Sequence, residues 1–190
     1  MKKITLLLLI TFLSLQLAAQ ENEEKKYPQD IAKKYELKLN AFSLIGLSSL
    51  DVSYEKLINS ESSYGVALFY NFSNRDNDNL DYPKKFSITP YYRWFFSETR
   101  YARGFFVEGF GMLNTYEDSF YNFNSGSNSV ENQTAFALGI SVGGKFVTKS
   151  GFTTEVYLGL GRNLLGNDNS NNSSDYSVVG RGGISLGYRF

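Results

Sequence analysis

The amino-acid sequence predicts an all-β fold: an eight-stranded antiparallel up-and-down transmembrane β-barrel that follows a cleaved signal peptide. Three observations lead to this prediction. Hydrophobicity alternates with period two along eight segments, short and long connections alternate along the chain, and an aromatic residue ends the last segment. Strict alternation is typical of strands with one apolar and one polar face. The barrel is assigned to residues 36–190.

The eight alternating segments begin directly after residue 35 and account for most of the remaining chain. Most are longer than the roughly 5–6 residues of a typical soluble strand. They suit a tilted membrane strand, which needs about 9–11 residues. The predicted strands are 36–45, 49–58, 63–72, 85–96, 104–114, 134–147, 151–163 and 175–190.

The predicted connections fall into two kinds. Three are compact, namely 59–62, 97–103 and 148–150, and the first, 46–48, is also short. The three that follow strands three, five and seven are longer and polar, namely 73–84, 115–133 and 164–174. Short turns at one rim and long loops at the other are typical of outer-membrane barrels. An even strand count places both termini at the short-turn rim.

The first 19 residues read as a secretory signal peptide. Lys2 and Lys3 supply a positive start, 4–17 form an apolar run, and the small residues Ala18 and Ala19 precede the expected cleavage point. The run is shorter than the roughly 20 residues of a transmembrane helix. Residues 20–35 are polar and charged, and we predict an N-terminal periplasmic extension there.

Composition narrows the classes of function. The sequence has no Cys and no His, which removes the usual zinc ligands and the His-dependent catalytic triads and dyads. We therefore predict no catalytic residues, no metal, no cofactor and no enzymatic activity. Without Lys2 and Lys3 the charge is 17 − 19 = −2. Such a balance gives no basic footprint for nucleic acid.

The outward aromatic residues gather in two predicted bands, as expected for the aromatic girdles of a membrane barrel. The short-turn band comprises Tyr64, Trp94, Phe105, Phe146, Phe152, Tyr188 and Phe190, and the long-loop band comprises Tyr70, Phe72, Phe86, Phe136 and Tyr176. These bands predict a cell outer membrane location, in contact with membrane lipid and lipopolysaccharide. The alternative is a soluble lipocalin-like periplasmic carrier, in which aromatics are buried without banding.

The inward positions carry four acids and five bases. They are Lys38, Asp51, Glu55, Arg93, Glu108, Lys145, Glu155, Arg181 and Arg189. Buried charges are expected to pair, because an isolated one is costly. We predict an ion-pair network near mid-height, centred on Glu55, Arg93, Glu108, Glu155 and Arg181, with Tyr91 and Tyr157 as hydroxyl partners. An eight-stranded barrel is just wide enough for side chains, so this network is expected to close the lumen. The alternative is a narrow channel that transports or senses a small solute.

The C-terminal residues Tyr188 and Phe190 close the last predicted strand, which resembles the signal that the barrel-assembly machinery recognises. Further stretches carry a resemblance to a family, namely residues 43–46, 52–56, 88–93 and 104–108. They resemble an uncharacterised, domain-of-unknown-function family of small Gram-negative outer-membrane β-barrels, similar in shape to the OmpA and OmpX type. The resemblance implies a fold and a location, and it supplies no active site.

The predicted function is therefore a structural or surface-interaction role through the longer loops. Binding residues are often found on loops held by a rigid scaffold. The 115–133 loop places Tyr116, Phe120, Tyr121 and Phe123 among Asn and Ser, a mixture that suits contact with an unidentified surface ligand. The alternative is that these aromatics pack within their own loop.

Overall fold

A computed structural model describes residues 32–72, 84–97, 100–122, 127–166 and 178–190. The predicted signal peptide, residues 20–31 of the predicted extension, and most of the loops after strands three and seven lie outside these residues. Tyr176 of the predicted long-loop band also lies outside them.

The eight strands form one closed antiparallel barrel, which confirms the predicted all-β barrel. Each strand pairs with its neighbours in sequence, and the last strand closes on the first. The strands are β1 (Tyr35–Asn40), β2 (Ser49–Leu57), β3 (Ser62–Asn71), β4 (Lys84–Phe95), β5 (Gly104–Asn122), β6 (Ser127–Val147), β7 (Phe152–Gly166) and β8 (Val178–Arg189).

The first predicted strand, 36–45, was wrong in its second half. β1 ends at Asn40, and a short helix, α1 (Ala41–Gly46), follows it. Asn40 caps α1, because its side-chain oxygen accepts a hydrogen bond from the Ser43 backbone N–H at 3.3 Å. Asn is a favoured N-cap residue, since its side chain satisfies a backbone donor that the helix leaves free.

The predicted extents of the fifth and sixth strands and of the loop between them were also wrong. The prediction gave strands 104–114 and 134–147 and a loop at 115–133. β5 and β6 remain paired as far as Asn122↔Ser127, so a two-stranded ribbon occupies most of the predicted loop. The ribbon extends beyond the last β4 rung, Lys84↔Tyr116. The sequence of this segment shows no period-two apolar pattern, which is why a loop was predicted there.

Smaller differences occur at the other strand ends. β7 extends to Gly166, so the predicted 164–174 loop begins later than expected. The described part of β8 begins at Val178 rather than at 175. Phe190 still pairs with Tyr35 through two backbone hydrogen bonds of 2.8 and 3.0 Å.

The two faces of the barrel differ sharply in chemistry. The outward face is apolar and exposed, as at Ile140, Leu158 and Leu160, which are 64–70% exposed. The inward face carries buried charged residues, including Arg93 and Glu55, which are at most 1% exposed. In the described ranges of the chain, no helix is both long and apolar enough to cross a membrane.

The short-turn end of the barrel is closed from below by the connection between β4 and β5. Ala102 is fully buried, and its backbone N–H donates to the Ser60 carbonyl at 2.8 Å. Arg189 donates to the carbonyls of Tyr101 and Ala102 at 3.0 and 2.9 Å. An apolar floor packs above this turn and comprises Leu57, Phe95, Ala102, Phe106 and Tyr157.

Candidate functional site

Arg93 is the hub of a buried ion-pair network in the lumen. Its Nη1 atom donates to Glu55 Oε2 at 2.8 Å and to Glu155 Oε1 at 2.9 Å. Its Nε atom donates to Glu108 Oε2 at 2.7 Å. One planar guanidinium therefore joins carboxylates from β2, β5 and β7, a geometry that the fixed fork of Arg favours.

Two lysines complete the lower part of the network. Lys145 Nζ lies 2.8 Å from Glu36, 2.6 Å from Glu55 and 3.2 Å from Glu155. Lys38 Nζ contacts Glu55 and lies 2.8 Å from Glu155. All of these side chains are essentially fully buried, so each charge depends on the others for the solvation it has lost.

The strand register brings these charges together. Glu36 lies opposite Glu55, Arg93 opposite Glu108, and Lys145 opposite Glu155. Side chains of directly opposed residues are close enough to interact, and alternation turns all of these toward the lumen. Like charges would repel in the Glu36–Glu55 rung, and Lys145 bridges it.

A second branch of the network extends toward the long-loop end. Arg181 Nε donates to Glu108 Oε1 at 2.9 Å, and Ser141 Oγ donates to the same oxygen at 3.0 Å. The Arg181 guanidinium lies among aromatic rings, 5.1 Å from the centre of Tyr91 and 5.3 Å from that of Tyr157. Cation–π attraction adds to the stabilisation of a buried guanidinium.

The presence of a buried ion-pair network inside the barrel is confirmed. The structure brings together the five charged residues named from the sequence. They are Glu55, Arg93, Glu108, Glu155 and Arg181. The Tyr91 hydroxyl lies 3.3 Å from Glu55 Oε2, while the Tyr157 hydroxyl accepts instead from Asn40 Nδ2 at 3.3 Å. Tyr157, named as a hydroxyl partner of the network, lies beside the Arg181 guanidinium, and its hydroxyl bonds to Asn40.

The mid-height position predicted for the network was also wrong. Glu55 and Arg93 each lie two residues from the short-turn ends of their strands, at Leu57 and Phe95. Lys145 lies equally close to the end of β6. The prediction rested on strand phase, which fixes the face of a residue but not its height in the barrel, because height depends on strand register.

The sequence analysis missed Glu36, which binds Lys145 and accepts from Arg189 Nε at 2.7 Å. Glu36 follows the polar extension, so its charge looked like part of that extension. The period-two alternation could have revealed it, because Glu36 is two residues from the inward-facing Lys38 and therefore points to the same side of β1. Asp51 is inward but separate from the network, and its Oδ2 accepts from Asn40 Nδ2 at 3.0 Å.

Three carboxylates in this network are close enough together to be considered as metal ligands. Oxygens of Glu36, Glu55 and Glu155 lie within 4.8 Å of one another. The ammonium group of Lys145 lies between them and within 3.2 Å of each. A lysine therefore occupies the place where a cation would sit, and the cluster is accounted for as ion pairs.

The described aromatic side chains of the predicted girdles lie on the outward face, and Tyr176 lies outside the described residues. Those of the short-turn band are 43–70% exposed and comprise Tyr64, Trp94, Phe105, Phe146, Phe152, Tyr188 and Phe190. In the long-loop band, Tyr70 and Phe86 face each other across β3 and β4, and Phe72 follows β3. Phe136 is half-buried opposite Leu165, where β7 ends.

The long-loop half of the lumen contains a cavity of about 40 Å³. Its polar lining residues come from α1, β2, β4 and β8. They are Ser43, Asp51, Lys84, Ser87, Thr89 and Arg181. A volume of this size has room for about three water molecules. The lower lumen is thus filled by ion pairs, whereas the upper lumen keeps a small polar space.

Fold and site together define a closed eight-stranded barrel whose lumen is filled by ion pairs. A family model described as "Protein of unknown function (DUF3575)" matches residues 5–190. The chain belongs to this family, which confirms the resemblance to a family of unknown function. No curated protein and no solved structure matches the chain.

Proposed function

We propose that this protein is a non-enzymatic β-barrel of the cell outer membrane with a closed lumen, and that its β5–β6 ribbon contacts partners outside the cell. The observation that carries the proposal is the inversion of the two faces. The outward face exposes apolar residues such as Leu158 and Phe146, each 70% exposed. The inward face buries charges.

Burial energetics favour lipid as the surroundings of the outward face. Monomeric soluble proteins rarely expose contiguous apolar patches larger than a few hundred Å². Removing apolar surface from water contributes roughly 25 cal/mol per Å², so an apolar belt around a whole barrel would be costly in water. A lipocalin-like carrier has the opposite arrangement, with an apolar lumen, and this argues against the soluble alternative.

The filled lumen supports a closed barrel rather than a channel. Arg93 and its carboxylate partners cross the lower lumen, and Ala102 packs beneath them. The buried carboxylates are already paired with bases, which leaves no obvious general base accessible to a substrate. Both features support a structural barrel over a transporter or an enzyme.

The ribbon supports the surface-interaction part of the proposal. β5 and β6 pair with each other through the rungs from Glu117↔Asn132 to Asn122↔Ser127. In the described part of the chain, β4 pairs no further than Tyr116 and β7 no further than Ala135. Among the described residues, the ribbon therefore extends beyond the wall with no strand paired to either edge, and an unpaired strand edge can accept another chain.

Partners in membrane assembly follow from the closure of the barrel. Phe190 pairs with Tyr35, and their ring centres lie 6.3 Å apart. The C-terminal aromatic thus marks the seam at which the sheet closes. This geometry supports the proposal that the assembly machinery recognises Tyr188 and Phe190, and that lipid and lipopolysaccharide surround the finished barrel.

Location and fold are tested together by cell fractionation followed by electrophoresis with and without boiling. We expect the protein in the outer-membrane fraction, with a folded band that migrates differently from the boiled one. A protein released without detergent, with one band under both conditions, would refute the membrane proposal.

The surface role is tested by replacing residues 118–131 with a short turn, which retains the rungs Thr115↔Thr134 and Tyr116↔Gln133. A second variant keeps the length of the segment and shuffles its order, which separates loss of the segment's sequence from loss of its length. We expect both variants to keep the heat-modifiable band and to lose adhesion or phage sensitivity. Unchanged adhesion, phage sensitivity and envelope integrity in both variants would exclude a role for the ribbon.

A further inference from the structure

The barrel wall is incomplete between β2 and β8 toward the long-loop rim. The β1–β8 ladder ends at Asn40↔Ser185, and the β1–β2 ladder ends at Leu39↔Val52. β8 continues to Val178, and beyond Ser185 it pairs only with β7 among the described residues. Helix α1 contacts both β2 and β8 and occupies this gap in the sheet.

Helix α1 continues the apolar outer surface across the gap. Phe42 and Ile45 are 53% and 84% exposed, whereas Ser43 is buried on the opposite side. Asn40 holds the helix at the seam, because its Nδ2 atom lies 3.1 Å from the Gly182 carbonyl and 3.0 Å from Asp51. The gap is thus closed by side-chain contacts rather than by a ladder of backbone hydrogen bonds.

The lumen cavity lies directly behind this helix. Ser43 and Leu47 line it on the α1 side, and Gly180, Arg181 and Gly182 line it on the β8 side. Gly180 is also exposed at the outer surface, and a side chain added there would meet nothing within 4 Å. The cavity therefore reaches the seam at a position where the wall is thin.

Arg181 offers hydrogen-bond donors to this cavity. Within the network described, Arg181 uses its Nε atom, which donates to Glu108 at 2.9 Å. Nη1 and Nη2 donate to no residue within the described ranges, although the side chain is only 8% exposed. The hydroxyls of Ser87 and Thr89 line the same space. Neither Nη atom is among the fully buried atoms without a hydrogen-bond partner, so both are open to the cavity. A charged acceptor there would bond to them more strongly than water does.

We propose that this cavity binds a phosphate-class oxyanion, held by Nη1 and Nη2 of Arg181 and by the hydroxyls of Ser87 and Thr89. Arg recognises such anions with two parallel N–H donors. Asp51 also lines the cavity and opposes an anion, but its carboxylate accepts from Asn40 and shares the cavity with Lys84. The volume, enough for about three water molecules, suits one phosphate group in place of water.

The seam points to a source for the anion. A phosphate on an amphiphile could enter beside α1 and leave its acyl chains against Phe42 and Ile45; this source rests on the proposed membrane location. Free phosphate entering through the lumen is the other source. The site itself does not depend on the membrane, because its donors lie inside the barrel.

The test is calorimetric titration of the full chain, folded in a non-ionic detergent without phosphate, with inorganic phosphate and with dihexanoyl phosphatidic acid. Arg181→Gln removes both donors, and we expect affinity for either probe to fall about tenfold or more. Ala67→Leu fills the cavity from β3 without touching a charge, and we expect a comparable loss. Arg162→Gln, on the exposed outward face, is the matched control and should bind like the wild type.

A second, isosteric variant keeps the proposal testable if Arg181→Gln does not fold. Thr89→Val removes one hydroxyl, and we expect weaker binding with an unchanged heat-modifiable band. Tighter binding of the phosphatidic acid than of phosphate supports the lipid source, and equal or weaker binding supports the free anion. Absence of saturable binding to either probe, or equal binding by wild type, Arg181→Gln and Ala67→Leu, would overturn the proposal.

Discussion

The outward and inward faces of the barrel wall are built from alternating residues of the same strands, yet they obey opposite rules. Along β7, Leu158 is 70% exposed, while its neighbours Tyr157 and Gly159 face a crowded interior. Along β6, Gly143 and Gly144 are adjacent, but only Gly143 meets close neighbours. A residue's tolerance to change is therefore set by its phase in the strand.

The difference arises because the inner face is the polar core of this protein. In a soluble barrel the apolar side chains fill the interior at close-packed density. Here the interior holds apolar clusters too, but ion pairs that must be satisfied together occupy the lower lumen. Removing one partner leaves the remaining buried charges uncompensated. The outer face makes few contacts, so its residues matter only through the medium that surrounds them.

The largest expected loss of stability comes from substituting Arg93, the hub of the lumen network. Arg93→Met leaves the carboxylates of Glu55, Glu108 and Glu155 without their shared partner. Breaking a buried pair in this way costs about 3–5 kcal/mol. We expect a loss of that size in a urea titration of the detergent-folded protein, followed by the fluorescence of its single Trp.

Arg162→Met is the control for this prediction, since Arg162 is exposed on the outward face of β7. It removes the same charge from the other face and should change stability by less than about 0.5 kcal/mol. Equal effects of the two variants would show that the lumen network contributes little to stability.

The second-largest expected loss of stability depends on how deep the substituted residue lies in the proposed bilayer. Leu158 lies in the middle of β7 and Leu165 near its end, and both are 70% exposed. In phospholipid vesicles, Leu158→Arg should cost about 2–4 kcal/mol, whereas Leu165→Arg should cost about 0–1 kcal/mol. Because exposure is matched, similar small effects at both positions would indicate that no bilayer surrounds the barrel.

A smaller loss of stability is expected from an alanine at one of the two adjacent glycines but not at the other. A Cβ at Gly143 would lie 2.6 Å from both the Phe106 ring and the Val156 carbonyl oxygen, and the backbone cannot yield easily. Gly143→Ala should therefore destabilise by about 1–3 kcal/mol, as overpacking does. At Gly144 the nearest atom lies 3.9 Å away, so Gly144→Ala should be nearly neutral in the same titration.

The smallest expected loss of stability is at the gap between β2 and β8 that α1 occupies. Asn40→Ala removes the cap of α1 and the bond to the Gly182 carbonyl, and losing a cap costs typically about 1 kcal/mol. We expect faster amide hydrogen exchange in α1 and in β8 near Gly182, with no change in β5 and β6. Faster exchange throughout the barrel would argue against a seam that opens locally.

The strands could be predicted from the sequence wherever their two faces have different surroundings. β3 and β4 alternate cleanly, as in Val66, Leu68 and Tyr70, because outward-facing and lumen-facing residues have different surroundings. The ribbon could not be predicted, since the sequence from 117 to 132 shows no period-two apolar pattern. The helix after Asn40 was missed because the apolar residues 42, 44 and 45 fit a strand nearly as well.

The composition of the lumen network could be predicted from strand phase, but its position could not. The period-two alternation identified Arg93 and Glu108 as inward-facing. That they lie directly opposite each other depends on the register between β4 and β5, which the pattern of a single strand does not determine. Register also determines that Tyr157 meets Asn40 rather than a carboxylate. The cavity depends on β1 ending early, which the sequence did not reveal.

The central claim is that lipid surrounds the outward face, and Trp94 tests it directly. It is the single Trp of the chain and is 62% exposed on that face, near the short-turn end of β4. In vesicles of brominated phosphatidylcholine we expect strong quenching of Trp94 fluorescence, greater with bromine near the headgroup end of the acyl chain than near its methyl end. Quenching by aqueous iodide, with none by the brominated lipids, would contradict the account.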